Sequence, residues 1–76
     1  MTMPTHFTPR VARALASAAA QAARDARHAL DAARRRLAGN PQAATDYWRA
    51  AAEFHAASRI ARDAVRAARE SEGGTQ

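Results

Sequence analysis

Two pairs of side chains in this sequence have types and a spacing that could support metal binding or catalysis. Asp25 and His28 lie three residues apart, the spacing at which one helix face can offer two ligands to a metal ion. His55 and Ser58 share that spacing, which could set a base beside a nucleophile. The helix register derived below places Asp25, His28 and His55 on outer faces, away from any enclosed pocket. We therefore expect no metal site, no cofactor and no enzymatic activity.

Arginine offers a different chemistry, the binding of phosphate groups. All 12 basic residues are Arg, and with seven acidic residues the formal net charge is +5. In an antiparallel helix pair these arginines gather at both ends, where they could make salt-dependent, weakly sequence-selective contacts to DNA or RNA. The candidate nucleic-acid contacts are Arg10, Arg13, Arg62, Arg66 and Arg69 at the open end and Arg34, Arg35 and Arg36 near the turn. The absence of Lys beside 24 Ala is also what a G+C-rich coding sequence produces, so the arginine excess alone does not establish this partner.

Composition restricts the fold to helices. The chain has 76 residues, enough for one small domain, with three Gly, three Pro and few β-branched residues, so we expect an all-α protein. The sequence contains no long uncharged apolar run, so we expect no membrane span. The small-residue run from Ala14 to Ala20 contains Leu15 as its one strongly apolar residue, too little for an export signal. With no Cys to form disulfides, the expected location is the cytoplasm.

The boundaries of two helices can be read from short signals. Thr8-Pro9 predicts the start of helix 1, because Thr caps helices and Pro is favoured at the first helical position. Gly39 is predicted to end that helix in the left-handed conformation, and Asn40-Pro41 repeats the start signal. So short a turn makes the helices antiparallel. The predicted organisation is a flexible arm at 1–7, one helical-hairpin domain at 8–72 and a disordered tail at 73–76, with helix 1 at about 9–38, the turn at 39–40 and helix 2 at about 41–71.

Heptad spacing predicts which residues form the seam between the helices. Each helix has two adjacent columns of residues spaced by seven that contain no charge. On helix 1 these columns are Ala12, Ala19, Ala26, Ala33 and Ala16, Ala23, Leu30, Leu37. On helix 2 they are Ala43, Ala50, Ala57, Ala64 and Tyr47, Phe54, Ala61, Ala68. We expect a close-packed seam made mostly of alanine.

A seam of this kind leaves apolar residues on its flanks without cover. Only 12 of the hydrophobic residues are larger than Ala, so a self-sufficient core is not expected. The simplest cover is a second copy related by a two-fold axis, which closes a four-helix bundle dimer. Trp48 points away from the seam and could instead dock another protein. The predicted interface residues are Leu15, Ala22, Ala29, Trp48, Ala51, Phe54, Ile60 and Val65.

These observations favour a small non-enzymatic module over a catalyst. Its expected function is interaction or regulation through protein–protein contacts and self-association, with a homodimer as the first form. The alternative is an arginine-rich regulatory dimer that binds nucleic acid. An adaptor would lose its partner on Trp48→Ala, whereas nucleic-acid binding would weaken steeply as salt rises.

Overall fold

The computed structural model describes residues 8–73, which form a hairpin of two helices. Helix α1 spans Pro9–Gly39, a single 3-10 turn spans Pro41–Ala43, and helix α2 spans Ala44–Gly73. The prediction of an all-α antiparallel hairpin is therefore confirmed. The predicted arm at 1–7 and the tail residues 74–76 lie outside the described residues, while Gly73 is the last residue of α2.

The start of α1 follows the Thr8-Pro9 signal. Thr8 has extended backbone angles, φ −68° and ψ 159°, and its Oγ1 accepts a hydrogen bond from the Val11 amide at 3.2 Å. Its carbonyl accepts the amide of Ala12 at 2.9 Å, the first bond of the helical ladder. Because Pro9 has no N–H, the first helical position leaves no donor unsatisfied. The sequence prediction for this end is confirmed.

The turn between the helices uses Asn40 where the sequence suggested Gly39. No described glycine has a positive φ, so the predicted left-handed conformation of Gly39 is wrong. The helix instead continues through Gly39, and Asn40 breaks it with an extended backbone at φ −151° and ψ 98°. The Asn40 amide donates to the carbonyl of Leu37 at 3.2 Å, while its side-chain Oδ1 accepts from the Gln42 amide at 3.1 Å. Asn40 thus caps the end of α1 and the start of the 3-10 turn that leads into α2, and no left-handed residue is required.

The predicted seam is confirmed along its whole length. All sixteen residues of the four heptad columns are buried or half-buried. Among residues 8–73, only one buried core residue is larger than Ala, namely Leu30 at 7% exposure. The buried core consists of Ala12, Leu30, Ala33, Ala43, Ala51 and Ala68. The hairpin therefore has continuous helix contact but little buried apolar volume.

The molecule is a single layer of helices. Its principal extents are 56 × 25 × 13 Å, so its thickness is close to the diameter of about 10–12 Å of one helix with its side chains. Domains are normally built from two or three packed layers around one core. Both broad faces of this layer are surface, and they are the places where a function can be sought.

Candidate interaction site

The residues considered for catalysis and metal binding are all on the surface or beside it. Asp25 accepts a hydrogen bond from Gln21 Nε2 at 2.9 Å, and His28 is exposed. His55 is also exposed, with its ring 5.9 Å from that of Phe54, whereas Ser58 is half-buried. Within residues 8–73, no group of three or more His, Cys, Asp or Glu side chains could hold a metal ion.

One broad face carries an apolar groove that crosses both helices near the open end of the hairpin. Its volume is about 340 Å³. Leu15 of α1 and Ile60 of α2 are its large side chains, and they are 47% and 60% exposed. The remaining lining residues are Ala12, Asp63, Ala64 and Ala67. We call this surface the apolar groove.

The apolar groove continues toward the turn along α1. Residues seven apart are separated by two helical turns and share a side, so Ala22 and Ala29 extend the line of Leu15. Both are exposed. Val11, one turn before Leu15, is 41% exposed. Four of the predicted interface residues, Leu15, Ala22, Ala29 and Ile60, therefore lie along one side of the hairpin.

Ala51 and Val65 lie elsewhere, and for Ala51 the predicted exposure is wrong. Ala51 is only 9% exposed, and Val65 is half-buried. They belong to the α2 column Ala44, Ala51, Ser58 and Val65, which is buried or half-buried throughout, whereas the column Asp46, Glu53, Ile60 and Ala67 is exposed throughout. Helix α2 is thus rotated about its axis toward α1 on the side of the Ala44 column. This rotation adds the Ala44 column to the seam and leaves the Asp46 column exposed.

Long-range contacts show which α1 residues share the side of Val65. Arg13 Nη1 lies 2.7 Å from Glu72 Oε2, and Glu72 follows Val65 by seven residues. Farther along α1, the guanidinium of Arg27 stacks over the Phe54 ring at 5.7 Å from its centroid. Arg27 follows Arg13 by fourteen residues and therefore shares its side. The Phe54 ring, predicted at the interface, is half-buried beneath this arginine.

Val65 also lines a second depression, of about 440 Å³, which lies on α2 on the side of the hairpin shared by Arg13 and Glu72. Its other lining residues are Ala61, Arg62, Arg66 and Arg69. Three of the arginines predicted to gather at the open end are thus brought together. One of the three, Arg66, also lies 3.3 Å from Asp63 and marks the outer edge of the face.

Helical spacing assigns most exposed arginines to this same face, which we call the basic face. On α1 the columns of Arg13 and of Arg10 run along it, and on α2 the column of Arg62 does so. The exposed arginines of the basic face are Arg10, Arg13, Arg24, Arg27, Arg34, Arg62 and Arg69. Its acidic residues are Asp31, which pairs with Arg27 at 3.4 Å, and Glu72.

The opposite face has the reverse charge. Beside the apolar groove lie the exposed carboxylates Asp25, Asp46, Glu53, Asp63 and Glu70, with Arg36 and Arg49 as the arginines. Arg49 lies 3.7 Å from Asp46. The three successive arginines near the turn are therefore divided, because Arg34 falls on the basic face, Arg35 on the outer edge and Arg36 beside the groove. Two arginines of the basic face, Arg24 and Arg27, were not among the predicted contacts, although their spacing of fourteen residues from Arg10 and Arg13 identifies them.

Trp48 is the most exposed large apolar residue described, at 67%. It lies in the α2 column that continues through His55, Arg62 and Arg69, and so belongs to the basic face. Its ring meets Tyr47 edge-on, with centroids 5.2 Å apart and planes at 71°. Trp48 is therefore separated from the apolar groove by the thickness of the hairpin.

Comparison with known proteins adds no assignment. No family model matches the chain, and no curated protein or solved structure is significantly similar to it. Between Thr8 and Gly73, neither helix has a stretch long and apolar enough to cross a lipid bilayer.

Proposed function

We propose that this protein is a small non-enzymatic interaction module that acts through self-association, with a second copy of its own chain as the first partner. The observation that carries the proposal is the apolar groove around Leu15 and Ile60, two large apolar side chains that stand about half exposed on one face. Around them the groove surface is mostly alanine, so another helix can approach closely.

The thin core supports a requirement for a partner. Five of the six core residues are Ala, and Leu30 is the one large side chain among them. Small domains gain stability mainly from buried apolar area, at roughly 25 cal/mol for each Å². A single layer of two helices leaves much of that area in water. A second layer placed on the apolar groove would supply the missing burial.

The distribution of charge supports a two-fold arrangement of the two copies. On α1, the line of Leu15, Ala22 and Ala29 carries no charge over two turns on either side of Ala22. Two copies that meet through this line bury the same patch from each protomer, as a two-fold axis requires. The product is a four-helix bundle with both basic faces outward.

Sedimentation equilibrium of matched variants tests this proposal. The double substitution Leu15→Gln with Ile60→Gln removes the apolar side chains while keeping good helix formers at exposed positions. The control is Trp48→Gln, which removes a still larger exposed side chain from the opposite face. We expect the parent and the control to be dimers at micromolar concentration and the double variant to be a monomer.

The proposal is overturned in two ways. A parent chain that is folded and monomeric at tens of micromolar needs no second copy. If Trp48→Gln dissociates the dimer and the double variant does not, the association uses the basic face instead. Circular dichroism of each variant at the same concentration distinguishes dissociation from loss of helix.

A further inference from the structure

We propose that the basic face binds single-stranded nucleic acid, with arginine guanidinium groups on the phosphates and the Trp48 indole stacked on a base. This function goes beyond self-association and uses the opposite side of the hairpin. The structure supplies the two parts that such a surface requires, an electropositive track and an aromatic platform, on one face.

The electropositive track comes from the separation of charge between the two faces. Seven exposed arginines and two acidic residues share the basic face, whereas five carboxylates and two arginines lie beside the apolar groove. A net charge of +5 spread evenly would attract polyanions weakly from every side. Because the arginines are concentrated on one face, their guanidinium groups lie along one track, and each can form two hydrogen bonds with a phosphate.

Trp48 distinguishes this surface from a simple patch of positive charge that binds any polyanion. Trp48 is 67% exposed, and its ring makes an edge-on contact with that of Tyr47. Burying no more than a third of a Trp side chain gives the fold little, whereas a base can stack on the uncovered ring surface. His55 is exposed two turns farther along the same column and offers a second flat ring.

The dimensions favour an extended single strand. From Trp48 to Arg69 the α2 column runs about 32 Å, at about 1.5 Å per residue, within the range of a strand of several nucleotides. A duplex fits less well, since the hairpin is 25 Å wide and the major groove is about 12 Å wide. An anionic membrane also fits less well, because surface helices bury a row of large apolar side chains, and Trp48 is the one exposed large apolar side chain described on this face.

Self-association does not compete with this surface. The apolar groove lies on the opposite face, so a dimer formed through it would carry two basic faces outward. Failure of either proposal is therefore read separately, the first from the sedimentation of the free protein and the second from titration with an oligonucleotide.

The lone tryptophan provides the assay. The full chain is titrated with an oligothymidylate of about 15 nucleotides while Trp48 fluorescence is recorded, because stacking quenches the indole. We expect quenching and an association constant whose logarithm falls with the logarithm of salt concentration by about 0.7 for each phosphate contacted. Trp48→Ala, followed by anisotropy of a labelled oligonucleotide, should weaken binding by about 5- to 140-fold, the equivalent of one stacked base.

A matched pair of variants locates the binding surface. Arg62→Gln with Arg69→Gln removes two charges from the basic face, and Arg36→Gln with Arg49→Gln removes two from the other face. We expect the first variant to lose affinity and to reduce the salt slope by about 1.4, with the second retaining the parent slope.

Several results overturn the proposal. These are an indole signal unchanged by the oligonucleotide, equal weakening by the two double variants, and tighter binding to a duplex of the same length than to the single strand. Binding to vesicles of anionic phospholipid without binding to the oligonucleotide assigns the face to membranes instead. Equal affinity for heparin and for the oligonucleotide, together with no effect of Trp48→Ala, would show that the basic face binds polyanions in general.

Discussion

Replacement of Leu30 by Ala tests how the hairpin is held together. Leu30 is 7% exposed and is the one core residue larger than Ala. The substitution removes three carbon atoms, each worth about 0.8 kcal/mol when buried, so the loss of transfer free energy is about 2.4 kcal/mol. Any cavity that the neighbouring side chains fail to fill adds to this loss, and comparable replacements cost up to about 5 kcal/mol.

That loss is large compared with the stability available. Folded proteins are stable by about 0.05–0.15 kcal/mol per residue, and an alanine core places this chain at the lower end of that range. For a domain of this size, 1 kcal/mol shifts the melting temperature by about 4–8 °C. We therefore expect Leu30→Ala to lower the melting temperature, followed by circular dichroism, by about 10–19 °C.

Leu15→Ala is the matched control, because the same three carbons are removed from a side chain that is 47% exposed. In the separated hairpin, the transfer loss at Leu15 is about half of that at Leu30. In the associated protein it grows with protein concentration, since the partner then covers the side chain. The assignment of the core is refuted if the melting temperature of Leu30→Ala stays within about 3 °C of the parent. It is refuted also if both variants lose equal stability in dilute solution.

Two further predictions concern the turn. Gly39→Ala should raise the unfolding free energy by about 0.4–1 kcal/mol, because Gly39 is helical, lacks a positive φ and has nothing within 4 Å of the added Cβ; a lowered melting temperature would indicate a left-handed residue after all. Asn40→Ala should lower stability by about 0.5–2 kcal/mol, measured by urea unfolding, because the Gln42 amide loses its side-chain acceptor. Asn40→Asp is its control and should retain most of the stability, so an Asp variant as unstable as the Ala variant would contradict the capping role.

The sequence alone determined the elements and the seam. Thr8-Pro9 and Asn40-Pro41 gave the start signals, and they operate through local hydrogen bonds and a fixed φ, which need no distant contact. The heptad columns predicted the buried seam because helical geometry fixes which residues share a side. Exposure of Leu15 and Ile60 also followed, since two helices can cover only one stripe of each other.

Only the tertiary structure decided how the two helices are rolled against each other. A short turn can be closed by Gly39 in the left-handed conformation or by extended Asn40, and the sequence permits both. Ala51 was expected on an open flank but is buried, because small side chains let the helices approach and allow α2 to roll toward that column. The roll brings Ile60 and Leu15 into one groove and leaves Trp48 on the face that carries the arginines of α1. Packing of both helices together sets that angle, so neither amphipathic pattern contains it alone.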